Sequence, residues 1–219
     1  MKTTLSAWRK TINYDIHEKI NSIMAHLSIK ADKLKKITEY VEFLMEQNEN
    51  LNLVSRKLDV KTVIEEHIYD CLAPWEMFCD FRSITDLGTG AGLPGILLAI
   101  LFDEKKTHLV EKSVKKTIFL KDVVKKLELR NVIIENRLVA ETVINTEIIT
   151  CRGFKSISEI LDMTKKFYKN DGKYFLYKGR MEKIDEEIND AMKKYKFKYK
   201  IIKTAPEIEK ERHMVEIHA

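Results

Sequence analysis

The sequence predicts a doubly wound, mostly parallel α/β sheet, with a helical extension at its N-terminal end and an antiparallel hairpin at its C-terminal end. Three observations predict it. The apolar period changes near residue 82 from a helical one to short runs alternating with helical stretches. Four of the seven glycines fall in a single strand-to-helix turn, at positions 88, 90, 92 and 95. The segment KFKYKII, residues 196–202, then alternates with period two.

The elements follow in chain order. Through residue 80 the pattern is helical: Leu34, Ile37, Val41, Leu44 and Met45 recur on one helix face. A second stripe, Val60, Val63, Ile64, His67, Ile68, Cys71 and Leu72, starts after Asp59, a suitable N-cap, and stops at Pro74. From there SITDL, THLVEK, VIIEN, EIITCR and GKYFLYKG read as strands separated by helices, which is the rhythm of a parallel sheet. After a helix near 181–194 come KFKYKII and HMVEIHA, able to pair as a hairpin. That makes seven strands. In KFKYKII the expectation is that Phe197, Tyr199 and Ile201 face the core while Lys196, Lys198 and Lys200 face water and protect the sheet from edge pairing. Residues 1–80 would form the extension and 81–219 the main domain.

Composition narrows the functional classes. No run of eighteen apolar residues occurs, and the first thirty residues hold no continuous apolar stretch before a small-residue cleavage site, so a cytoplasmic protein without a membrane span is expected. Cys71, Cys79 and Cys151 are odd in number and not at zinc-ligand spacing, which predicts reduced thiols, no disulfide framework and no metal site. The net charge of +5 permits a polyanionic partner without requiring one, because lysine pairs such as Lys115-Lys116 also suit solvated helix faces.

The segment SITDLGTGAGLPGILLAI carries the chemistry. Glycines at such a turn admit positive φ and let a ligand approach the backbone. Two cofactors compete for it. Gly90, Gly92 and Gly95 match the dinucleotide pattern, with Glu111 at the distance of a ribose-binding acid, which would make the chain a nicotinamide-dependent oxidoreductase. Asp86-x-Gly88-x-Gly90-x-Gly92, an acid at the strand end followed by an earlier glycine turn, is instead the first motif of methyltransferases. A diphosphate needs a helix N-terminus aimed at it. A sulfonium nucleoside has a cationic end, which Asp86 would favour, while the loop wraps the methionine part and Glu111 accepts from the ribose hydroxyls.

DLGTGAGLPGILLAI, preceded by NLNLVSR and EEHIYDC and followed by HLVEKSVKKTIFL, CRGFKS, YKGR and ERHMVEI, closely resembles the RsmG family, also called GidB, from about residue 40 onward. The resemblance implies a class I S-adenosylmethionine-dependent methyltransferase of Rossmann-like fold that modifies N7 of a guanine in the decoding region of 16S ribosomal RNA. Its partner would be that RNA or the assembling small subunit, and the chain would be a monomer. It further implies that Gly88 and Leu93 hold the cofactor, that Glu111 takes the ribose, and that Arg152 lies beside the methyl donor as the catalytic residue. The adenine contacts fall at Ala140-Glu141, or at Val139-Ala140 if an unbroken count from Asn131 is kept. Arg137 would touch RNA.

Guanine N7 has an in-plane lone pair and no proton, so direct displacement at the sulfonium methyl needs no general base, only alignment and a dry pocket. Lys178 and Arg180, at a strand end beside Arg152, would grip RNA phosphate. His67 interrupts an apolar stripe and reads as a packed, hydrogen-bonded side chain. Cys151 supports a rival reading, methylation at C5 of a pyrimidine through a cysteine nucleophile, although strand alternation keeps it from sharing a face with Arg152.

Overall fold

The computed structural model describes residues 16–219; the earlier part of the expected helical extension lies outside them. Among the described residues, seven strands form one sheet in the order β3-β2-β1-β4-β5-β7-β6. They are β1 (Ser83–Leu87), β2 (Lys106–Val110), β3 (Val132–Glu135), β4 (Ile148–Arg152), β5 (Lys173–Lys178), β6 (Lys198–Lys203) and β7 (His213–His218). The first five are mutually parallel, and β7 runs antiparallel between β5 and β6. The expected hairpin is present, with its second strand inserted inside the first.

Central strands buried on both faces need continuous apolar sequence. β1 and β4 come near it: Ile84, Leu87, Ile148 and Ile149 are fully enclosed, and the polar residues between them, Thr85, Asp86 and Thr150, are buried with hydrogen-bond partners. The sheet is built outward in one direction through β2 and β3, and in the other through β4 and β5. Its topological switch lies between β1 and β4, where open α/β sheets bind ligands at the carboxyl ends of their strands.

The helix Ala31–Leu51 buries Ile37, Tyr40, Val41 and Leu44 along one stripe and ends at Asn52 in the left-handed conformation. Asp59 caps the next helix, its carboxylate accepting from Thr62 N at 2.7 Å. That helix widens into a π-turn over Ile64–Tyr69 before closing at Leu72. These N-terminal helices share one apolar cluster with the helices Gly95–Leu101 and Val114–Lys126. On the other face, Ile157–Met163 and Met181–Met192 cover β4, β5 and β7. Ser156 and Glu159 begin the first of these with a complete capping box.

One expectation is corrected. Tyr199 is 46% exposed, and Phe197 and Ile201 are only partly buried, so β6 has no dry face. The physical reason is its position: β6 is the outermost strand, paired on one side only, and a large ring there is covered on that side alone. Its lysines still fit protection of an open edge.

Candidate active site

β1 delivers the chain to the glycine turn. Gly88, Gly90 and Gly92 take φ values of +63°, +59° and +95°, and the helix begins only at Gly95. Such φ values are why glycine stands here. Beneath the turn Asp86 is fully buried. Its Oδ2 accepts from Gly95 N at 2.8 Å and from Thr89 Oγ1 at 2.5 Å, whereas Oδ1 is buried with no hydrogen-bond partner among the described residues. Burial pushes the carboxyl up to about 7, against the pull of the Thr89 and Gly95 hydrogen bonds. Tyr40, from the N-terminal helices, donates to Ala91 O at 2.7 Å and props the turn from behind.

Glu111 follows β2 directly. Its Oε2 accepts from Gly90 N at 3.0 Å and its Oε1 from Ser113 N at 2.8 Å, which ties the carboxylate to the turn and leaves one lone pair on each oxygen for a further donor. Leu93 is buried in the core. The single turn Val139–Glu141 turns Val139 inward against Leu87 and Val110, while Ala140 and Glu141 are exposed.

At the end of β4 the side chains of Cys151 and Arg152 point to opposite faces of the sheet. Arg152 points to the π-turn: Nε donates to Asp70 Oδ2 at 2.7 Å, Nη2 to Glu66 O at 2.7 Å, and Nη1 lies 3.1 Å from His67 Nδ1. Arg212, preceding β7, brings its Nε to 3.2 Å from the same Asp70 oxygen. Burial, then the charge of Arg152, holds the His67 imidazole down at about 4, so it is neutral at physiological pH and accepts from the guanidinium. Cys151 faces the opposite cluster, where burial pushes its thiol up to about 12. A nucleophilic cysteine needs the reverse. Cys151→Ala is therefore expected to retain methyl transfer, checked by incorporation of labelled methyl groups into RNA.

A cleft of about 600 Å³ opens beside these strand ends, lined among others by Arg152, Phe154, Lys155, Tyr177, Lys178 and Arg212. Lys178 is not an open cation: its Nζ donates to Glu187 at 2.6 Å and to Lys155 O at 2.8 Å, and both charged side chains are largely covered. Arg180, immediately before the helix Met181–Met192, is exposed, and Arg137 is half exposed beside Glu135 at 3.3 Å.

The GidB family model, described as rRNA small subunit methyltransferase G, matches residues 33–215. The chain belongs to this family. Ribosomal RNA small subunit methyltransferase G 1 of Bdellovibrio bacteriovorus is 38% identical over 201 residues, covering 90% of this chain and 97% of that protein. The corresponding methyltransferase G of Brachyspira hyodysenteriae is 36% identical over 206 residues, covering 93% and 98%. In architecture the chain is similar to a SAM dependent methyltransferase from Aquifex aeolicus, with a TM-score of 0.58 at 15% identity over 74% of this chain and 95% of that one. This last likeness concerns the fold alone.

Methyltransferase G membership makes S-adenosylmethionine the cofactor, and the residues of the turn fit it. A buried carboxyl with one unpartnered oxygen suits a nearby positive charge, a Cβ at Gly90 would meet nothing closer than 3.8 Å, and the Glu111 carboxylate beside the turn keeps acceptor capacity for a further donor. The nicotinamide reading of Gly90, Gly92 and Gly95 is set aside on the same geometry. The helix N-terminus that a diphosphate would need is already taken by the Asp86 carboxylate through Gly95 N. Among the described residues, no helix is long and apolar enough to cross a membrane.

Proposed function

We propose that this chain transfers a methyl group from S-adenosylmethionine to N7 of a guanine in the decoding region of 16S ribosomal RNA, by in-line displacement without a general base. One observation carries the mechanism: each acid lining the cleft is already held by a cation, Asp70 by Arg152, Glu159 by Lys155 and Glu187 by Lys178. No acid there is without a cationic partner, which disfavours its taking up a proton, so a nucleophile that must lose a proton is poorly served, whereas guanine N7 has no proton to lose.

The bound cofactor supplies an electrophilic methyl on a cationic sulfur. Asp86 balances positive charge below the turn. Gly88, Gly90, Gly92 and Leu93 shape the loop around the amino-acid part, Glu111 accepts from the ribose, and Ala140 and Glu141 flank the adenine. Arg152, fixed by Asp70 and His67, forms the wall between the methyl donor and the RNA. Exposed Arg137 and Arg180 reach phosphates. Lys178, tied to Glu187, contributes by ordering the strand end. The protein would act as a monomer in the cytoplasm, on naked 16S RNA or on the assembling subunit. Mass spectrometry of small-subunit RNA incubated with the enzyme and cofactor tests the assignment: one new N7-methylguanine is expected, and methylation at any other atom would refute it.

The Asp86 carboxyl at about 7 gives a pH signature. Its anionic form favours a cationic ligand, so cofactor affinity should fall as pH drops below about 7, by up to about tenfold per unit. Stability runs the other way. A carboxyl raised in the folded state favours folding at low pH, and that contribution is lost as pH rises through about 7. Calorimetry and denaturant titrations across this range should show both trends as differences between the wild type and Asp86→Asn, in which each is flat.

A further inference from the structure

Phe154 follows β4 by two residues, and its ring lies against Gly88. A Cβ built on Gly88 would overlap the ring carbons Cδ2 and Cε2. Gly153, with φ of +58° and open space around it, makes the reversal that brings the ring back over the turn. The ring is partly buried against the cluster containing Leu87 and Cys151, and it also lines the cleft. Its backbone is pinned on both sides. Arg152 is locked to the π-turn, and Lys155 O accepts from Lys178 just before the Ser156 capping box. A large aromatic ring is thus held at a fixed place between the cofactor turn and the acceptor cleft.

The chemistry of transfer gives such a ring a use. The N7 lone pair forms the new N–C bond while the C–S pair returns to sulfur, leaving a neutral thioether; no proton moves, and the positive charge passes to the purine. Around this charge no acid of the cleft is free to balance it: Asp70 is shared by Arg152 at 2.7 Å and Arg212 at 3.2 Å, Glu159 pairs with Lys155 at 2.8 Å and Glu187 with Lys178 at 2.6 Å. The aromatic face attracts a developing cation more strongly than a neutral base, and it stacks any base regardless of edge.

We propose that Phe154 is the platform on which the target guanine stacks, its contact with Gly88 setting the depth of the base relative to the methyl donor. The proposal rests on the N7-guanine reading above. Phe154→Leu preserves bulk and apolarity but removes the π-face, and Phe154→Tyr keeps it. The expected result is that Phe154→Leu binds cofactor like the wild type by calorimetry yet loses about tenfold or more in kcat/KM for RNA, with Phe154→Tyr restoring most of it. A fluorescent guanine analogue, 6-methylisoxanthopterin, placed at the target position of a 16S RNA fragment should be quenched on binding wild type and Phe154→Tyr, and not on binding Phe154→Leu.

Unchanged kcat/KM and quenching in Phe154→Leu would overturn the proposal, as would a parallel loss of cofactor affinity, which would make the ring part of the cofactor wall. Should Phe154→Leu fail to fold, the wild-type analogue titration decides, an unquenched signal refuting the platform. The functional reading is judged separately, by the methylated atom in the wild-type product. N7-methylguanine together with an unaffected Phe154→Leu would sink the platform alone, and a different product would sink both.

Discussion

Replacing Asp70 by alanine should lower folding stability by about 3–5 kcal/mol and silence methyl transfer. Asp70 is 2% exposed and is the shared counter-charge of two guanidiniums, Arg152 at 2.7 Å and Arg212 at 3.2 Å, whose side chains are 18% and 17% exposed. Removing it leaves two like charges facing each other in a crevice that water reaches poorly, which costs far more than the hydrogen bonds lost. Asp70→Asn keeps the shape and one acceptor without the charge, and should fall between the two. The triple replacement Asp70→Leu, Arg152→Met and Arg212→Met takes away the acid and both guanidiniums. It should recover much of the stability, because a buried ion pair contributes little against well-packed apolar atoms, yet remain inactive. Denaturant midpoints and methyl incorporation, measured together, separate the two roles. Wild-type stability in Asp70→Ala would mean that the crevice is wetter than its burial indicates.

The second large effect is expected from Gly95→Ala. Gly95 has no positive φ, and alanine is the better helix former there by about 1 kcal/mol. Any loss is therefore steric. An added Cβ would overlap Leu109 Cδ2 and sit 2.7 Å from Asp86 Oδ2 and 3.0 Å from Asp86 Cβ. All of these atoms belong to fully buried residues, so the strand or the helix has to shift, and overpacking of this kind costs about 1–3 kcal/mol. The shift falls on the hydrogen bond between Gly95 N and Asp86, a charge-assisted bond when the carboxyl is ionised. Cofactor affinity should fall by about ten- to a hundredfold, the size of one such bond, with stability reduced only modestly. Calorimetric binding equal to wild type would show that the turn does not depend on the Asp86 bracket.

The sequence makes some of this legible and hides the rest for identifiable reasons. β1 and its turn can be read directly, since an apolar run ending in an acid and four closely spaced glycines has few other uses. The Asp59 cap and the terminal hairpin are likewise local patterns. The partners of Arg152 are not local: Asp70 lies 82 residues away, and no period links them. Nor does any pattern place Tyr40 behind Ala91 or the Phe154 ring over Gly88, since both depend on how helices and loops dock on a finished sheet. The π-turn is invisible because one extra residue in a turn leaves the apolar stripe intact. The exposure of Tyr199 is hidden for a related reason: alternation reveals two faces, and only the position in the sheet decides whether either is covered.

Tyr40 holds the glycine turn and Asp70 holds the end of β4, and both belong to helices in the same apolar layer. The two walls of the crevice therefore hang from one jacket. Heat that loosens the jacket should disarm both walls together, making thermal inactivation and melting of these helices a single event in place of two.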